Sequence, residues 1–214
     1  MTILVEQGGR KKKFQMHRGL LCHYSEYFNT LLNGGFGESG RNFHKLTEVE
    51  IDTFQVFFYW LNTGVISDGG GQDLQKVEII KVYVFADCYL VQELKNKILE
   101  ALFLSDVKTW AVSSFINPLI YDQTPEGSPL RKLHVDLTLE TEDFKDWREH
   151  LEHYPKEYLA DLFDACRERK VVPGSAFGLD NGGTEGWIKE KMAHFCERYH
   201  DHTKPEARGS VGNV

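Results

Sequence analysis

Apolar and polar positions alternate over two short runs near the start of the chain, residues 2–6 (TILVE) and 14–17 (FQMH), with QGGRKKK between them. Two period-two runs around a Gly-containing turn predict a β-hairpin, with the basic run 10–13 as its solvated turn. From Arg18 the spacing lengthens. Leu20, Leu21, Tyr24, Tyr27, Phe28, Leu31 and Leu32 recur at three- and four-residue steps, which predicts helix divided at Gly19 or Ser25. Gly34 and Gly35 are stop signals. Residues 42–46 (NFHKL) alternate again and predict a third strand. Thr47 and Glu50 then have capping-box spacing ahead of a helix to about Asn62. Its apolar positions fall on two sides, Ile51, Phe54, Phe58 and Leu61 on one and Val56, Phe57 and Trp60 on the other. Such a helix is central in its domain or docks a partner on one face. Helices over about 74–89 and 92–104 complete a first half of three strands and five helices, an α+β pattern.

The second half reads as mostly helical. Residues 107–121 are apolar and predict helix as far as Asn117, where Pro118 interferes. Residues 123–129 (QTPEGSP) read as a loop, and 132–139 (KLHVDLTL) as a short extended run or a linker. An acidic helix is expected over 141–153. The clearest amphipathic helix covers 155–170, with Leu159, Leu162, Phe163 and Cys166 at i, i+3, i+4 and i+7 and Pro155 suited to its first turn. A Gly-rich loop leads to a last helix over 187–200, and a flexible polar tail is expected over 203–214.

Composition narrows the function classes. At 214 residues and 41% hydrophobic content, the chain is long and apolar enough for a real core. A net charge of −7 argues against general nucleic-acid binding, which needs a surplus of Lys and Arg. No apolar run approaches bilayer length, and no apolar segment precedes the first charged residues, so neither a membrane nor a secretory leader is expected. Cys22, Cys88, Cys166 and Cys196 stand far apart in helical segments, the usage of reduced, buried thiols in a cytoplasmic or nuclear protein.

One series in the first half is specific when taken in order. It runs from FQMHRGLLCHYSEYF through GGFGES and a strand ending KL to an aromatic helix ending FFYWLNTG. This resembles the BTB/POZ domain, in the form abundant in filamentous fungi. The matching residues are His17, Arg18, Leu20, Leu21, Ser25, Phe28, Glu38, Ser39, Leu46, Phe54, Leu61, Thr63 and Gly64. The resemblance implies a BTB/POZ-like domain over 1–106, with a helical extension over 107–202. It also implies a structural core that includes His17, Leu20, Leu21, Phe28, Phe54, Phe58 and Leu61. The function implied is protein–protein interaction without catalysis, most simply as an adaptor between a cullin-type ubiquitin ligase scaffold and a target. Phe36, Glu38, Tyr59 and Asn62 are the positions that would meet such a partner. An oligomerising scaffold or transcription-associated regulator is the alternative. Because the chain starts directly in the first strand, the swapped N-terminal segment of many BTB dimers is not expected. Arg18 likewise lacks the acidic partner of a BTB corepressor groove.

Two sharper chemistries compete. Cys196 and His200 lie i, i+4 with His202 nearby and could ligate a metal if Cys166 supplied a fourth group. The plainer reading is a buried Cys beside histidines at a helix end, and no metal or cofactor is expected. Glu149, His150, Glu152, His153 and Asp161 could suggest an enzyme. They sit in helical patterns where charges normally face water, however, and no nucleophile elbow, P-loop or dinucleotide fingerprint accompanies them.

Overall fold

The computed structural model describes residues 1–34, 42–71, 73–109, 112–141, 144, 147–170 and 181–202. Strands β1 (Thr2–Gln7) and β2 (Arg10–Gln15) pair antiparallel, and β3 (Phe43–Leu46) joins β1 in parallel, for the order β2-β1-β3. Gly8 and Gly9, at φ 54° and 83°, make a two-residue turn that side chains with a Cβ would resist. The basic run therefore lies in strand β2 and not in the turn. Arg10, Lys11, Lys12 and Lys13 are all exposed along a sheet edge, where lysines discourage pairing with another chain. Ile3, Val5, Phe14 and Leu46 point inward and are buried.

Helices α1 (Arg18–Tyr24) and α2 (Glu26–Asn33) are separated at Ser25. The buried Ser25 hydroxyl accepts from the Phe28 amide at 3.1 Å and donates to the Tyr89 carbonyl at 2.6 Å. It thus caps α2 and fastens it to the turn between α4 (Lys76–Cys88) and α5 (Gln92–Thr109). Helix α3 (Ile51–Thr63) runs through the centre, which accounts for its two apolar sides. The expected capping box at Thr47 and Glu50 does not form. Glu50 is the cap position, its side chain accepts from none of the first helical amides, and the Ile51 amide instead donates to Gln7 Oε1 at 3.1 Å. Rings form a continuous run: Phe14 meets Phe54 at 4.8 Å, Phe57 meets Phe85 at 4.9 Å, and Phe85 stacks on Tyr89 at 4.5 Å. Tyr89 stacks in turn on Phe28 at 5.5 Å.

Beyond α5 the chain departs from several expectations. Pro118 starts helix α6 (Asn117–Gln123) and does not end one, because its missing N–H falls among the free amides of the first turn. Residues 132–139, expected to be extended or a linker, belong to helix α7 (Pro129–Thr141). That helix is buried on nearly every side by α5, α6, α8 (Lys156–Arg169) and α10 (Phe195–Tyr199). Of the expected acidic helix, the described residues include a 3₁₀ segment, Trp147–His153, kinked at His150. The face of α8 turned inward carries Tyr158 and Leu162, while Leu159 and Phe163, expected inside, are 37% and 70% exposed. The last helix is split into α9 (Asn181–Ala193) and α10. Residues 203–214, where the flexible tail is expected, lie outside the described residues.

Candidate protein-interaction surface

Helix α3 carries the described part of the expected interaction surface. At its start Glu50 receives Lys81 Nζ at 2.7 and 2.9 Å. Its end is marked by Gly64 in the left-handed conformation. Tyr59 and Asn62 lie one turn apart near that end. The Tyr59 ring is half-buried under the following loop, so close to Gly69 that a Cβ there would come within 3.1 Å of it. The exposed Asn62 side chain folds back, its amide donating to the Phe58 carbonyl at 2.6 Å. Neither is a freely projecting anchor. Val65, just past the helix, is 56% exposed and was not singled out by pattern because it follows the helical period. Phe36 and Glu38 lie outside the described residues.

The residues expected to form the core divide. Leu21, Phe28, Phe54 and Leu61 are buried, while Leu20 and Phe58 are partly buried against that core. His17 is exposed and is not a core residue. It is the N-cap of α1, its Nδ1 accepting from the Leu20 amide at 3.4 Å, and Met16 takes the buried place beside it. Cys22 is half-buried as a small apolar filler, and His23 is exposed. Arg18 donates to the Leu32 carbonyl at 2.6 Å and to Asn33 Oδ1 at 2.9 Å, tying α1 to the end of α2.

A polar cleft of about 630 Å³ opens between β2, α3, α4 and the loop after α3. Several of its polar groups bond one another. Lys12 Nζ donates to Gln55 Oε1 at 2.6 Å, and Gln55 Nε2 donates to the Asp68 carbonyl at 3.0 Å. No periodicity unites residues so distant in sequence, which is why the cleft is invisible before folding.

In the second half, Asp161 and His134 are tied into the packing of the helices. Asp161 accepts from the Tyr121 hydroxyl at 2.8 Å, and burial raises the Tyr121 pKa, with the Asp161 bond adding to the rise. His134, buried in α7, meets Asn117 Oδ1, and burial lowers its pKa to about 3. His150, Glu152 and His153 cluster at the kinked 3₁₀ segment, the first two exposed and His153 half-buried. Cys88 and Cys196 are exposed, contrary to the expectation of buried thiols. Cys196 Sγ lies 3.0 Å from His202 Nε2, and His200 completes a close group that does not include Cys166.

A family model described as the BTB/POZ domain matches residues 1–104. Among solved structures, the chain is similar to the BTB (Tramtrack and Bric a brac) domain of human Gigaxonin, at 19% identity over 46% of this chain and 74% of that one, with a TM-score of 0.35. With its small sheet, divided first helix pair and central aromatic helix in the order that pattern requires, residues 1–104 are a BTB/POZ domain, a protein-interaction fold.

Proposed function

We propose that this chain is an adaptor whose BTB/POZ domain docks a cullin-type ubiquitin ligase scaffold and whose helical extension, residues 107–202, presents a target. The observation that carries this reading is a division of surfaces. Helices α6, α7 and α10 pack on α4 and α5, while Asn62 and Val65 at the far end of α3 stay exposed. An exposed aliphatic group beside a polar one, on a rigid helix end, suits the rim of a protein interface. Phe36 and Glu38 belong to the same docking surface in this reading. On the target side, α8 turns Leu159 and Phe163 outward, neighbours one helical turn apart.

The test is calorimetric titration of the full chain with the N-terminal half of a BTB-binding cullin, beside the Val65→Asp variant. Val65 is exposed, so the variant keeps its fold. The reading expects binding by the parent chain and a loss of at least about tenfold in the variant, the effect of one rim-to-core anchor. Equal affinity in both would move the docking surface elsewhere. Heat from neither would end the adaptor reading and favour a self-associating scaffold.

A further inference from the structure

We infer that Cys196, His200 and His202 form a binding site for a thiophilic divalent cation, Zn²⁺ by preference, at the end of α10. The local backbone brings the three side chains to one side. Cys196 and His200 are separated by one helical turn of α10. His200 is the C-cap, already extended at φ −81° and ψ 138°, so His202, two residues on, returns to the same side. One ligand atom from each residue lies within 4.8 Å of the others, and Cys196 Sγ is 3.0 Å from His202 Nε2. With metal–sulfur bonds near 2.3 Å and metal–nitrogen bonds near 2.0 Å, a tetrahedral Zn²⁺ spaces its ligand atoms by roughly 3.3–3.6 Å. Rotation of two exposed side chains, Cys196 and His202, is enough to reach that spacing.

The surroundings favour the same conclusion. His200 Nε2 is buried, makes no hydrogen bond, and has the Glu100 carboxylate of α5 at 3.3 Å. A carboxylate on one imidazole nitrogen orients the ring and raises the basicity of the other, so with Nε2 facing Glu100 the metal would be bound through Nδ1. The backbone at Asp201 is clasped to α5 by the Asn96 side chain, which donates to the Asp201 carbonyl at 3.2 Å and accepts from its amide at 3.3 Å. The ligands are thereby held on a supported segment. A mixed sulfur and imidazole donor set selects Zn²⁺ over Mg²⁺ or Ca²⁺, and the fourth position is left for water. On binding, the Cys196 thiol releases its proton to solvent and the metal takes its place.

Cobalt(II) reports directly on such a site, because thiolate ligation produces a charge-transfer band in the near ultraviolet. The full chain, prepared metal-free, is titrated with Co²⁺ and then with Zn²⁺. The expected result is a band that saturates at one equivalent and is bleached by Zn²⁺. Cys196→Ser abolishes the band and His202→Ala weakens binding at least about tenfold. A chain carrying Cys22→Ser, Cys88→Ser and Cys166→Ser together keeps it. Melting temperatures of the metal-free variants, unchanged from the parent, establish that loss of the band is loss of a ligand. No band, or a band that survives Cys196→Ser, would overturn the site.

Discussion

In the BTB/POZ half, a run of rings from Phe14 on β2 to Phe28 on α2 fills the core, with the serine of a helix cap as a buried polar group. In the helices that follow, the centre is α7, which buries Arg131, His134, Asp136, Thr138 and Thr141 beside its leucines. Each of these polar groups has an assigned partner. Arg131 donates to the Tyr121 carbonyl at 2.8 Å and to Thr124 Oγ1 at 3.0 Å, and lies over the Tyr121 ring, so it closes the end of α6. Asp136, 4% exposed, receives Arg169 from α8, and Arg198 and Tyr199 from α10, the last two at 2.6–2.7 Å. Apolar packing is non-directional and forgives small shifts, whereas a buried polar hub holds only when every member is satisfied. The difference separates a core that stabilises a domain from one that sets the angle at which three helices meet.

The largest effect should come from placing a charge in the aromatic core. Leu21→Asp buries an unpaired carboxylate at a site with no exposure, and a loss of more than about 4 kcal/mol is expected. Loss of a cooperative denaturant transition checks it, whereas a normal melting curve would contradict the core assignment. Asp136→Ala comes next. It leaves two guanidinium groups without their shared carboxylate, for a cost of about 3 kcal/mol, toward the low end because both arginines keep some contact with water. Hydrogen exchange should show protection lost in α7, α8 and α10 first and retained in α3 and α4. Uniform loss would mean that the two halves unfold as one.

Acid should separate the halves through His134. Burial holds its folded pKa near 3, below the ordinary 6.5, so the neutral ring's contribution is present above pH 6.5. It is lost as pH falls, because the unfolded chain takes up the proton first, at about 1.4 kcal/mol per pH unit and about 2 kcal/mol by pH 5. Subtracting the stability curve of His134→Gln from that of the parent should isolate this slope, and a flat difference would contradict the buried neutral ring. The smallest effect belongs to Phe163→Asp. With Phe163 70% exposed, stability should move by no more than about 0.5 kcal/mol, read as an unchanged melting midpoint.

The same contrast explains what could be read before folding. Strands and the α1–α2 pair are legible because their apolar positions follow one period, and the central helix because it is apolar on two sides. Helix α7 is not, since in KLHVDLTL the polar residues alternate with apolar ones as in a strand, yet His134, Asp136 and Thr138 are buried as well. A pattern that assumes polar means exposed fails wherever polar groups are satisfied inside. On α8 the error was one of phase. Leu159, Phe163 and Cys166 share helical spacing with Leu162, but Tyr158 takes the inward position. For the interaction surface, sequence located the α3 end through its resemblance to the family, yet gave no sign that Tyr59 would be covered by the loop at Gly69. The resemblance to the family puts His17 in the core, and its role as a helix cap follows from the extended backbone at that residue.

Light scattering on a size-exclusion column, with the full chain alone and then with the N-terminal half of a BTB-binding cullin, tests the adaptor claim most directly. The account predicts a shared peak at the summed mass of the two proteins. Two separate peaks, each at the mass measured alone, would contradict it.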